Sequence, residues 1–183
     1  MGGEKDKISC FVKDEATYSF SSYSFNNYTM FGVKKNLEAG SLEGGLAFKA
    51  SDSQYGGFAE LKLTSEELAK NISAESRTRL SVETPYNDSR TSLNIGQRIA
   101  LKGSWNLGKR WNIYEITGAS LNLDLQEGNV TSVGPTSVTG VGYKINKNAS
   151  IYGEASFSKS YKPIIESWDK LSSSFTLGVK IGL

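Results

Sequence analysis

The sequence predicts an all-β protein, an antiparallel up-and-down transmembrane β-barrel of about ten strands. Three observations carry this reading. Apolar residues alternate with polar or small ones through long stretches, which is the side-chain period of a strand. The clear stretches run about ten residues or more, longer than the usual five or six of soluble sheets and about what a tilted strand needs to cross hydrocarbon. The segments between them alternate long and short, as in bacterial barrels, which keep short turns on the periplasmic side with both termini and longer loops outside.

Along the chain, residues 1–14 are read as a tail or a lumen or periplasmic segment, and 15–183 as the barrel. The first strands are placed near 15–25, with Tyr18 and Phe20, and near 28–37, with Phe31 and Val33. Leu42, Leu46 and Phe48 then alternate with Glu43, Ala47 and Lys49, and Tyr55, Ala59, Leu61 and Leu63 with Phe58, Glu60 and Lys62. Residues 64–70 are read as a long turn with room for a helical turn. In 71–84, Ile72, Ala74, Leu80 and Val82 oppose Glu75, Arg77, Arg79 and Glu83.

The alternation sharpens from there. Leu93, Ile95, Ile99, Leu101, Trp105 and Leu107 share a face within 91–107, opposite Arg98, Lys102 and Ser104. In 111–126, Trp111, Ile113, Ala119, Leu121 and Leu123 oppose Asn112, Tyr114, Asn122 and Asp124. Val141, Tyr143 and Ile145 mark the next strand, and Ile151, Gly153, Ala155 and Phe157 oppose Tyr152 and Glu154 in 149–161. The closing strand presents Phe175, Leu177, Val179, Ile181 and Leu183 against Thr176, Gly178, Lys180 and Gly182. External loops are expected at 85–90, 127–134 and 162–171 and short turns at 108–110 and 146–148. Pro85, Pro135 and Pro163 then lie at or beside strand ends, where a missing N–H does no harm.

Placing lipid on the apolar side assigns Arg77, Arg79, Arg98, Lys102, Tyr114, Asp124, Tyr152, Glu154 and Lys180 to the lumen. Trp105, Trp111 and Tyr143 beside the short turns form an interfacial aromatic girdle. Within the lumen Glu154 is expected level with Lys180, while Arg98 and Lys102 face residues 112–122 of the next strand. Such charges either fill and rigidify a narrow barrel or tune a polar conduit. Gln97, Glu115 and Lys159 fall on the lipid side; there a lysine costs roughly 2–4 kcal/mol at mid-membrane and an acid less. Lys159 can snorkel near a rim. Glu115 calls for a bulge, a register change or a protein contact on that flank.

Composition removes other classes. The 183 residues carry a net charge of +2 and no basic block, so no nucleic-acid partner is expected. The absence of histidine removes the Ser-His and Cys-His nucleophile pairs and the commonest zinc ligand, and no catalytic residue, metal site or cofactor is assigned. One cysteine, Cys10, allows no intrachain disulfide. Mean hydropathy is -0.37, as befits a barrel that gives every second residue to its lumen. No run approaches the eighteen or so apolar residues of a spanning helix. Met1–Lys7 has no apolar signal core, so the chain is read as the mature segment of an exported protein of the bacterial outer membrane. Expected partners are outer-membrane lipid, the barrel-assembly machinery during insertion, and a protein on the external loops or near Glu115.

The C-terminal portion, in Gly140-Val141-Gly142-Tyr143-Lys144-Ile145, Asn148-Ala149-Ser150-Ile151-Tyr152-Gly153-Glu154-Ala155-Ser156-Phe157 and Leu177-Gly178-Val179-Lys180-Ile181-Gly182-Leu183, resembles the end of an autotransporter translocator barrel. Leu183 stands where that family closes on Phe or Trp. The resemblance implies a translocator. The reading is therefore an autotransporter-like translocator or a small pore without catalysis; the alternatives are a structural or adhesion barrel that binds through its external loops and a soluble barrel carrying an apolar ligand on inward-facing Leu177, Val179 and Ile181.

Overall fold

Alternation of side chains lets one strand face two solvents, and ten such strands of 10 to 16 residues form the wall of the barrel. The computed structural model describes residues 8–182. In chain order the wall is β1 (Ile8–Ser19), β2 (Ser24–Leu37), β3 (Gly40–Ser51), β4 (Gln54–Ala69), β5 (Ile72–Pro85), β6 (Ser92–Leu107), β7 (Trp111–Asp124), β8 (Asn129–Lys144) and β9 (Ala149–Ser158). A ribbon of β10 (Tyr161–Lys162) and β11 (Ser167–Trp168) follows in the longest loop, and β12 (Ser172–Gly182) completes the wall. All neighbours are antiparallel. Strand β12 pairs with β9 on one side and β1 on the other, with Leu177 opposite Gly153 and Ala16, so no edge is left open.

Phe175, Leu177, Val179 and Ile181 point outward, which removes the soluble carrier that needed them inside. Leu183 lies outside the described residues. The exposed apolar belt is bounded by aromatic side chains at both ends. Trp105 and Trp111 mark the terminus end, where the Trp111 and Tyr143 rings are 4.8 Å apart. At the opposite end the pairs Tyr18–Phe20, Tyr55–Tyr86 and Tyr161–Trp168 lie 5.2, 5.5 and 5.4 Å apart. Among the described residues no helix is long and apolar enough to cross a membrane.

Several boundaries differ from the sequence reading. The wall begins at Ile8 rather than 15, and residues 20–23, placed inside a strand, form the β1–β2 turn. The reason is local: Phe11 turns inward and is buried while Asp14 is exposed, which inverts the apolar-outside rule. Residues 64–69 continue β4 through two register shifts, Thr64/Glu67 and Glu67/Ala69, and no helical turn forms. The Ser65 hydroxyl accepts a hydrogen bond from the Ala74 amide (2.8 Å) and holds this bulged end together. Strand β8 starts at Asn129, so the expected loop 127–134 shrinks to 125–128 and Pro135 falls inside the strand. It is tolerated there because its carbonyl accepts from Lys159 N on the side where β9 has ended; the missing N–H faces that same side and interrupts no ladder.

Candidate functional site in the barrel lumen

Three cations meet directly across neighbouring strands: Lys62 on β4 is paired with Arg77 on β5, and Arg77 with Arg98 on β6. Like charges so placed repel. Glu75, two residues from Arg77 and on the same face of β5, resolves the conflict. Its carboxylate accepts a hydrogen bond from Arg98 and lies 3.4 Å from Lys62 Nζ and 3.8 Å from Arg77 Nη2. At 1 % exposure it is the one large side chain among the described residues that is fully buried. Glu60 extends the network, with Arg79 Nη2 at 2.6 Å and Arg77 Nε at 3.8 Å.

Other lumen charges are tied along the wall. The Tyr114 hydroxyl donates to Glu154 (2.6 Å) and the Tyr152 hydroxyl to Glu15, which Lys13 also approaches at 2.6 Å. Lys180 reaches Glu43 at 3.2 Å, with Lys34 on the same carboxylate at 3.3 Å, and Lys49 pairs with Glu83 at 2.7 Å. Both tyrosines lie flat on a directly paired glycine: a Cβ on Gly140 would come 2.2 Å from Tyr114 Cζ, and one on Gly178 2.2 Å from Tyr152 Cζ. Only glycine lets the rings lie down and carry their hydroxyls to the carboxylates.

Apolar side chains also enter the lumen. Phe11, Met30, Ala47 and Phe58 cluster with Tyr28 on one wall, and Ala100, Ile116 and Val138 with Tyr114 on another. The Arg79 guanidinium lies 4.0 Å from the Phe58 ring centroid, so the clusters and the charge network pack as one layer. Below that layer a cavity of about 360 Å³ reaches the terminus end, from Glu60, Lys62 and Arg77 at its deep end to Asn106, Lys109, Arg110 and Lys144 at its mouth.

The structure thus turns Arg77, Arg79, Arg98, Lys102, Tyr114, Tyr152, Glu154 and Lys180 into the lumen. Arg98 is paired with Ser120 and Lys102 with Ile116. Glu154 is not level with Lys180: the register pairs Glu154 with Thr176 and Lys180 with Ser150. Strand β9 leaves the wall at Ser158, before the expected end at 161, and this sets β12 four residues along. Asp124 is drawn into the β7–β8 turn instead, where Oδ1 accepts from the amides of Gln126 (2.8 Å) and Glu127 (3.1 Å). Glu15, Glu43, Glu60 and Glu75 are the working carboxylates that sequence reasoning left out of the site. The available signal was charge balance, since inward cations on adjacent strands require an acid on the same face.

On the outer face, the wall passes Glu115 with its register unbroken, between Gly103 and Thr139. Hydroxyls supply its partners: Ser137 Oγ donates at 2.6 Å, Thr117 at 3.3 Å, and Thr139 donates as well. Gln97 is held in the same way, its amide donating to Ser76 and its carbonyl accepting from Thr78.

No family model matches the chain, and no curated protein sequence does. Among solved structures it is similar to the NanC porin, at 12 % identity and a TM-score of 0.50, over 94 % of this chain and 100 % of that one. It is similar also to Neisserial surface protein A (NspA), at 12 % identity and a TM-score of 0.46, over 95 % and 94 % of the two chains. The KdgM porin aligns at 14 % identity and a TM-score of 0.46, over 96 % and 98 %. At these identities the likeness is one of fold.

Proposed function

We propose that this chain is an integral barrel of the bacterial outer membrane, without catalytic activity, whose lumen serves as a small pore. The observation that carries the reading is the two-faced wall. An apolar belt between two aromatic girdles faces outward, and a network of ionised side chains with a solvent-sized cavity lies inside. A closed wall satisfies every ladder partner within the chain, which hydrocarbon demands. The porin-like fold agrees with this reading. Translocation of the autotransporter kind stays with the C-terminal resemblance alone, and no feature of the lumen favours it over a pore.

Extraction from membranes followed by gel migration with and without heating tests the membrane part. The unheated protein is expected to run as a compact, faster band and to need detergent. One unchanged band together with solubility in plain buffer would overturn it. Planar-bilayer recording tests the pore: inserted protein is expected to give steady small conductance, and heat-modifiable protein that inserts and stays silent removes the pore and leaves a scaffold.

A further inference from the structure

The chain as a whole is nearly neutral, with 21 basic and 19 acidic residues, but its cavity is not. Among the described residues eight basic side chains and three carboxylates line the space at the terminus end. Of these, Lys13, Lys62, Arg77 and Lys180 have carboxylate partners. Lys102 does not. Among the described residues no carboxylate lies within ion-pair distance of it, and its ammonium sits 5.1 Å from the Tyr114 ring centroid. The hydroxyl of that tyrosine is already given to Glu154. Lysine in such a place keeps three donors and no acceptor.

The approach is basic too. Lys109 and Lys144 stand exposed at the mouth. A second cleft beside it, of about 670 Å³, is lined among the described residues by Lys34, Lys144, Lys147 and Lys180 and by no carboxylate. Charges of one sign around a low-dielectric opening focus the field inward and concentrate counter-ions there.

We propose that this vestibule is a binding site for a small multivalent oxyanion, a polycarboxylate or a phosphate, with Lys102 as its principal contact inside the cavity. The cavity volume falls within the range of small-molecule sites. An anion of this kind would supply the acceptor oxygens that Lys102 lacks, while the mouth lysines hold its outer charges. The inference rests on the lumen being open to solvent at the terminus end of a membrane barrel.

The test is calorimetric titration of citrate, and separately of inorganic phosphate, into the folded full-length protein in zwitterionic detergent. Saturable binding of at least one is expected, weakening as salt rises. Lys102→Glu should weaken it by about tenfold or more, the scale of a lost charge-assisted contact. Lys170→Glu, in the longest loop at the opposite end, should leave it unchanged. If Lys102→Glu does not refold, Lys102→Met carries the same expectation. Absence of saturable binding, or equal weakening by the variants at positions 102 and 170, overturns the site. Each sample is checked for heat-modifiable migration, so that failure of the site is separated from failure of the barrel itself.

Discussion

Two carboxylates on nearby strands, Glu75 on β5 and Glu115 on β7, show how differently the two faces of the wall hold a charge. Glu75 is buried in the lumen and surrounded by cations on three strands. Glu115 faces outward, four residues from the exposed Trp111, with hydroxyl donors alone around it among the described residues. Neither choice is isolated. Inside, Glu60 and Glu43 are each shared by two cations. Outside, Asp14 accepts from Thr29 at 2.7 Å, and Gln97 is bonded to Thr78 and Ser76. Among the described residues most lumen charges meet opposite charges, Lys102 and Glu154 excepted, whereas the polar groups of the outer face are satisfied by short neutral donors that add little polar surface. A lysine or arginine brought to the belt would itself carry the larger cost of crossing hydrocarbon.

Breaking this contrast on the lumen side has the largest expected effect. Glu75→Gln keeps the size and one acceptor but leaves Lys62, Arg77 and Arg98 adjacent with no shared counter-charge. Removing one partner from a buried ionic cluster costs about 3–5 kcal/mol. The urea midpoint for unfolding from detergent micelles should fall accordingly, and a midpoint equal to wild type would mean that the three cations are solvated and the lumen is wide. A smaller effect is expected where the network meets the wall. Gly178→Ala drives a methyl into the Tyr152 ring and lifts its hydroxyl from Glu15. Overpacking of this kind costs about 1–3 kcal/mol. The same urea series reads it, and paired replacement with Tyr152→Phe should recover little, because ring atoms Cζ and Cε1 stand in the way of the methyl whether or not the hydroxyl is present.

The sequence made the C-terminal half of the wall legible and left the lumen's hub obscure, for physical reasons that particular residues show. From β6 onward the outward positions are apolar with few exceptions, so parity alone reports which way Leu101, Leu121, Ile151 and Leu177 face. In β1 the code fails twice, at inward Phe11 and outward Asp14, and the strand was misplaced. Phe11 is inside because the barrel is narrow enough for an aromatic ring to help fill it, alongside Met30 and Phe58. Parity could place Glu75 on the lumen face with Arg77. It could not reveal that Lys62 and Arg98 converge on it, because that depends on registers set by turns and by the two shifts in β4. Lys180 shows the same limit: β9 ends three residues early, β12 is set four residues along, and the partner of Lys180 is Glu43 rather than Glu154.

Glu115 gives the smallest expected effect and the sharpest test of the comparison. With Ser137, Thr117 and Thr139 its polar partners among the described residues, the carboxylate has no counter-charge there to abandon when it is replaced. Glu115→Leu removes a polar group from the outward face, which the proposed function sets against lipid, and restores the apolar parity of β7 between Ile113 and Ala119. The freed hydroxyls can turn to neighbouring backbone carbonyls, as Ser and Thr side chains commonly do. The unfolding free energy from urea titration in lipid bilayers is therefore expected to match wild type or exceed it by about 1 kcal/mol, since an acid on the lipid face costs less than a base but more than leucine. A loss on the scale of Glu75→Gln would place a cation against Glu115 that the isolated chain does not supply. The outer face would then hold its charge as the lumen does, through a partner seated on β7 and β8.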